Sequence, residues 1–293
     1  MSHSGCCLAV LASSSSGNCA VVTIAGSSRA ILLDIGLSPR RTRTAMVACG
    51  FDPGAIGAIL LTHFDSDHFH GGWRAELARR PVPVLVRTGM EQRALQAGVP
   101  AYCLRTIARP TRLGSVATVR AWRTPHDELG STAWRIDTNT GSLGWATDLG
   151  EVRAEVVAGL RGVDLLGMEC NYDQQMQLDS GRPMHLVRRI MSASGHLENG
   201  DGLSAVAAIE PSQVVILHLS RDCNCPRLLQ RLIAERLGAM STRVRIAHPD
   251  QPSGAIPWGR SIAAPVNPAI SRLEVAAAEP SDGVLGSGAW AID

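Results

Sequence analysis

The sequence predicts an α/β protein in which two packed mixed sheets are flanked by helices. Short apolar runs bounded by Ser, Gly and Asn turns come in two sets, with helical segments interleaved, a pattern that suits sheet packed on sheet with helices outside. A chain of 293 residues with 45% hydrophobic and 18% charged content can bury a large core. No apolar run approaches the ~20 residues that a membrane span requires.

The elements follow in order. Runs at 7–12, 20–24 and 30–34 predict three strands separated by Ser/Gly/Asn turns. Ser38-Pro39 opens a helix to about residue 49, because proline suits the first helical turn. Ala58-Ile59-Leu60-Leu61 predicts a buried strand, and a helix after Gly72, a strand at 82–86 and a helix at 88–96 complete the first half. Residues 116–122, 132–137 and 143–147 predict a second, antiparallel set. A helix at 151–159, a strand at 163–168, a helical stretch at 184–193, a loop at 195–199 and a helix to 209 come next. The strand 214–217 ends in His218, a helix spans 226–237, and 243–247 closes the pattern. From Asp250 onward the periodicity fades into Pro/Ala/Gly-rich sequence. The expected domain is therefore 1–250, with 251–293 as an extension that is flexible from about 263.

Composition excludes several functions. A formal charge of +2 is too small to argue by itself for nucleic acid or a membrane surface. All 28 basic residues are arginine, which rules out a Schiff-base mechanism and a Walker-type phosphate loop, since both need a lysine amine. The eight cysteines form no C-x-x-C pair and give no zinc ribbon, so they read as small buried hydrophobes in a reducing compartment. The start of the chain lacks the basic segment of a signal peptide, and a cytoplasmic protein is expected.

The chemistry concentrates in Thr62-His63-Phe64-Asp65-Ser66-Asp67-His68, directly behind the apolar strand. Loops at strand ends are where a rigid sheet displays functional groups. Two imidazoles and two carboxylates in one tight loop suit zinc, iron or manganese and could serve more than one ion.

This loop resembles the signature His-x-His-x-Asp-His of the metallo-β-lactamase superfamily, with Asp65 in place of the second histidine. The hydrolase domain of DNA-uptake channel proteins and the phosphorylcholine esterases carry the same aspartate. Further matches lie in order along the chain: Leu11-Ala12-Ser13-Ser14-Ser15-Ser16-Gly17-Asn18-Cys19, Leu32-Leu33-Asp34-Ile35-Gly36-Leu37-Ser38, Thr147-Asp148-Leu149-Gly150, Gly195-His196-Leu197-Glu198-Asn199 and His218-Leu219-Ser220. In these the chain is similar to the YycJ/WalJ exonuclease-like branch. Two departures stand out besides Asp65. Tyr172 replaces a histidine in Glu169-Cys170-Asn171-Tyr172-Asp173, and Asn224-Cys225-Pro226 replaces an Asn-Asn-x-Pro pattern.

The resemblance implies a metallo-β-lactamase-type αββα sandwich that binds two divalent metal ions, zinc or manganese, with iron also compatible. It implies that His63, Asp65 and His126 hold one ion, that Asp67, His68 and His218 hold the other, and that Asp148 bridges them. Asp67 would also orient the attacking water, and His196 would donate a hydrogen bond to the oxyanion or leaving group. Asp34 is expected to orient a ligand rather than to bind metal. Taken as a residue alone, Asp148 could equally cap a helix beginning at 151. The implied activity is hydrolysis of a nucleic-acid phosphodiester. A small-molecule ester, lactone or thioester is the alternative substrate, and a non-catalytic metal-binding scaffold the alternative class.

Overall fold

The computed structural model describes residues 5–260. Its first seven-stranded sheet contains β1 (Cys6–Ala12), β2 (Cys19–Thr23), β3 (Ala30–Leu33), β4 (Ile56–Leu60), β5 (Val84–Arg87) and β6 (Leu104–Ile107). The second contains β7 (Thr111–Leu113), β8 (Ala117–Thr124), β9 (Ser131–Thr138), β10 (Ser142–Ala146), β11 (Leu165–Glu169), β12 (Gln213–Leu217) and β13 (Val244–Ile246). A last strand, β14 (Ile256–Trp258), returns to the first sheet and pairs antiparallel with β1, Leu8 opposite Ile256. The spatial orders are β14-β1-β2-β3-β4-β5-β6 and β13-β12-β11-β10-β9-β8-β7.

Helices α1 (Pro39–Ala48), α2 (Trp73–Arg79) and α3 (Glu91–Ala97) belong to the first half. The second half carries α4 (Ala154–Leu160), α5 (Gln174–Leu178), α6 (Met184–Ile190), α7 (Asn199–Ile209) and α8 (Pro226–Leu237). Among the described residues no helix is long and apolar enough to cross a membrane.

Strand periodicity explains the layering. Successive side chains point to opposite faces, so Leu8 and Val10 of β1 enter the layer between the sheets, while Cys7, Ala9 and Leu11 enter the layer beneath the helices. The inter-sheet layer joins Leu33 and Leu60 of one sheet to Trp134, Trp145 and Leu217 of the other. A third layer packs Leu166, Met168 and Ile216 of the second sheet against Val156, Val206, Leu229 and Ile233 of its helices. Both faces of both sheets are therefore covered, which gives the four-layer αββα sandwich.

Each sheet is mixed, and the parallel part of each sets up the site. β3, β4 and β5 run parallel, as do β10, β11 and β12. Their carboxyl ends open on one edge of the sandwich, where an open α/β sheet offers a crevice.

The expected elements are present with ends moved by a turn or less. β6, β7, α5 and β14 were not expected, because each is too short to carry a period of its own. Pairing of β14 with β1 carries the folded unit past the boundary at 250; its Ile-Pro-Trp alternates buried, exposed and buried but is too short to show a period in the sequence. The extension from 263 onward lies outside the described residues. All eight cysteines are free thiols, and six of them are buried.

Candidate metal centre

Asp34 and Thr62 lie just beyond adjacent parallel strands, and their side chains tie those ends together. Asp34 Oδ1 accepts from the Thr62 amide at 2.8 Å and from its hydroxyl at 3.0 Å. Beyond Thr62 the chain turns tightly, with the amides of His68 and Phe69 both donating to the Asp65 carbonyl at 2.8 Å. This turn brings the His63 and His68 rings to 4.1 Å between centroids.

The other side chains arrive from the second sheet. His126 follows β8, Asp148 follows β10, Glu169 ends β11 and His218 follows β12. Asp34, Asp148 and His218 all adopt positive φ, at 56°, 55° and 56°. Each thus leaves its strand through a left-handed residue, a conformation that costs free energy for any side chain. Bonds to residues distant in the chain hold the turn at His218. Its amide donates to Ser13 Oγ at 2.8 Å and its carbonyl accepts from Asn171 Nδ2 at 2.7 Å.

The ligand-type atoms form two triads, His63, His126 and Asp148, and Asp67, His68 and His218, together with a group of four, Asp148, Glu169, His196 and His218, each with its members within 4.8 Å of one another. The Asp148 carboxylate links the two triads, with Oδ2 2.9 Å from His68 Nε2. The far nitrogen of each imidazole is anchored. His68 Nδ1 donates to Asp34 Oδ2 at 2.9 Å, and His126 Nδ1 donates to the Gly195 carbonyl at 2.8 Å. His218 Nδ1 lies 3.2 Å from Glu169 Oε1. Such contacts fix ring orientation and leave the inner nitrogen its lone pair. The inner nitrogen of His218, Nε2, is buried with no hydrogen-bond partner. Four buried imidazoles with carboxylates among them, and a buried imidazole nitrogen without a hydrogen-bond partner, make a donor set that fits divalent metal.

The electrostatics agree with that fit. Burial, then its positive neighbour His68, holds the His63 pKa well below its ordinary value. Burial opposes charge on His68, but Asp148 and Asp34 outweigh it and raise that pKa well above the ordinary value. The same contest, won by Asp148, Asp67 and Glu169, lifts His218 to about 10. Burial would raise the Asp148 carboxyl, but His218 and His68 hold it well below the usual range. In the metal-free centre, protons on imidazole thus balance buried carboxylates, the role that cations would take over.

Of the expected residues, His63, Asp67, His68, His126, Asp148 and His218 come together. Asp65 sits at the rim, its carboxylate 3.9 Å from His63 Nε2 and 47% exposed, outside both triads. His196 lies beside the centre, its Nδ1 2.9 Å from Glu169 Oε1 and 3.5 Å from Asp148 Oδ1. Asp34 orients His68, as expected. The cap of α4 is Arg153, so Asp148 is not the cap of that helix.

Two contributors escaped the sequence reading. Glu169 is fully buried, joins His196 to His218 and accepts from the Leu149 amide at 2.9 Å. Its signal was a carboxylate directly behind the apolar run 163–168. Asn18, at the end of the serine-rich turn, places Nδ2 2.9 Å from His68 Nε2 and 3.3 Å from Asp67 Oδ2. Tyr172 is buried, and burial pushes its phenol up to about 12, so it stays neutral while neighbouring Asn171 supports His218.

Fold and site together define a metallo-β-lactamase-fold hydrolase. Residues 29–219 match the family described as the beta-lactamase superfamily domain, and the chain belongs to that family. Among individual proteins it is similar to the exodeoxyribonuclease YycJ of Bacillus anthracis, 26% identical over 234 residues that cover 78% of this chain and 88% of YycJ. It is equally similar to the exodeoxyribonuclease WalJ of Streptococcus pneumoniae, 26% identical over 254 residues that cover 81% of this chain and 90% of WalJ. The fold is shared with YhfI of Bacillus subtilis at a TM-score of 0.62 and 16% identity, covering 84% of this chain and 98% of that one. It is shared with the short form of human tRNase Z at a TM-score of 0.58 and 14% identity, covering 84% and 98%.

Proposed function

We propose that this chain is a two-metal hydrolase of phosphodiester bonds and that its substrate is nucleic acid. The observation that carries this reading is the pair of triads joined through Asp148. His63, His126 and Asp148 would hold one cation, with Asp65 at the rim beside His63, and Asp67, His68 and His218 would hold the other. Two divalent cations bound there, zinc or manganese, supply an activated water and neutralise charge on the phosphoryl oxygen. Similarity over most of the chain to two exodeoxyribonucleases supports a phosphodiester rather than an ester, lactone or thioester.

The chain's own residues do the rest. Asp67, one-fifth exposed and facing His68 and His218 at 3.7 and 3.6 Å, can orient the attacking water through its carboxylate. His196 Nδ1 lies 2.9 Å from buried Glu169 Oε1, which orients the ring and turns Nε2 outward. Burial opposes charge there, but that carboxylate raises the His196 pKa and favours the protonated ring. A proton of that ring is available to the leaving oxygen.

The test is metal content after purification without chelator, followed by turnover of oligodeoxynucleotide, oligoribonucleotide, lactone and thioester. Close to two ions per chain and chelator-sensitive cleavage of an oligonucleotide are expected. A protein that stays metal-free when supplied with zinc, manganese and iron overturns the reading. One that binds metal but turns over only lactone or thioester overturns its substrate.

A further inference from the structure

Beside the metal loop is a cavity of about 460 Å³, with Asp65, Ser66 and Asp67 on one wall and Arg74, Arg93 and Gln96 on the other. Asp67 lines the cavity and belongs to the triad with His68 and His218, so the two adjoin. Arg74 stands on α2 and Arg93 on α3, and both are exposed.

Arg74 is held in position. Its Nε donates to the Ala97 carbonyl at 2.7 Å, and its stem lies over Gly98, where an added Cβ would come within 2.9 Å of Arg74 Cδ. Gly98 caps α3 at φ 93°, so glycine serves both the left-handed cap and the close approach. The terminal nitrogens of Arg74 form no hydrogen bond or ion pair among the described residues. Arg93 forms no ion pair among the described residues. A planar guanidinium whose stem is already immobilised loses little freedom on binding, and its geometry matches a phosphate. The two carboxylates on the other wall face the centre's imidazoles, Asp67 lying 3.7 and 3.6 Å from His68 and His218 and Asp65 3.9 Å from His63.

We propose that Arg74 and Arg93 form a subsite for a backbone phosphate of the nucleic-acid strand, next to the phosphodiester that is cleaved. The proposal rests on the phosphodiesterase reading and gives it a source of preference for polymers. A strand of several phosphates spans centre and cavity together, whereas a small diester occupies the centre alone. Gln96, on the same wall, can donate a hydrogen bond to the same ligand.

The experiment compares metal-loaded wild type with Arg74→Ala, Arg93→Ala and the double variant. Substrates are a single-stranded oligodeoxynucleotide and bis(4-nitrophenyl) phosphate, and binding of a labelled oligonucleotide is titrated across salt concentrations. The ratio of kcat/KM for oligonucleotide to that for the small diester should fall about tenfold in the double variant, mainly through KM. The log–log salt slope of binding should shrink by about 0.7 for each arginine that meets a phosphate. An unchanged ratio and slope, or equal losses on both substrates, overturns the subsite while leaving the phosphodiesterase reading intact. Wild type that cleaves neither substrate overturns both.

Discussion

Asp148 shows how one side chain can be committed by its backbone. It leaves β10 in the left-handed region and points its carboxylate between the two triads, 2.9 Å from His68. Asp148→Ala should abolish turnover while moving the melting temperature of the metal-free protein far less. Retained turnover would remove Asp148 from the centre. Asp34 acts through His68, and loss of such an outer partner typically lowers metal affinity about 10- to 100-fold. Asp34→Ala should show that loss in a metal titration, and unchanged affinity would limit Asp34 to tying β3 to β4. Asp65 brings oxygen where imidazole nitrogen would favour zinc, so manganese should support activity at least as well as zinc. Asp65→His should move the preference toward zinc, and identical metal profiles would show that the rim position does not tune the site. The pH dependence belongs to the imidazoles that buried carboxylates raise, His68 and His218, the latter lifted from about 6.5 when unfolded to about 10 in the metal-free fold. The folded state therefore binds more protons between those values. This contribution to stability is complete below about pH 6.5 and is lost as pH rises toward 10. Melting of chelator-treated protein should reveal that decline, and metal loading should flatten it.

At the scale of elements, the site is made by strand ends welded across a small gap. The serine-rich turn after β1 reaches the metal loop through the Asn18 amide, which donates to the Asp67 carbonyl at 2.7 Å. Gly36 permits that approach. A Cβ there would lie 1.7 Å from the Asp67 carbonyl oxygen and 2.7 Å from the Asn18 amide nitrogen. Both are backbone atoms, so neither can turn aside. Gly36→Ala should shift the metal loop, costing about 1–3 kcal/mol of stability and weakening metal binding. Normal melting and a normal metal titration would show that the loop absorbs the methyl group.

For the whole molecule, β14 closes one edge of the first sheet. Buried Ile256 and Trp258 pack into the layer between the sheets, and the Ser253 amide donates to the Val10 carbonyl at 2.9 Å. A chain ended after Asp250 should melt earlier than one ended after Arg260, because it uncovers β1 and empties that part of the core. Equal melting temperatures would make β14 dispensable.

Periodicity, strand-end placement and the metal-loop motif were local properties, so the sequence by itself determined the layered α/β class, the long elements and the loop 62–68. Resemblance in ordered segments added His126, Asp148, His196 and His218 as expectations. Tertiary structure alone decided which side chains meet. Two parallel strand groups from different sheets had to end on one edge before Asp148 could stand between His68 and His218. Glu169 and Asn18 stayed hidden because a buried carboxylate or amide announces itself only through partners tens of residues away in the chain. Asp65, inside the most legible motif, stands at the rim of a turn that its own carbonyl closes and that Asp34 and Asn18, distant in the chain, tie down.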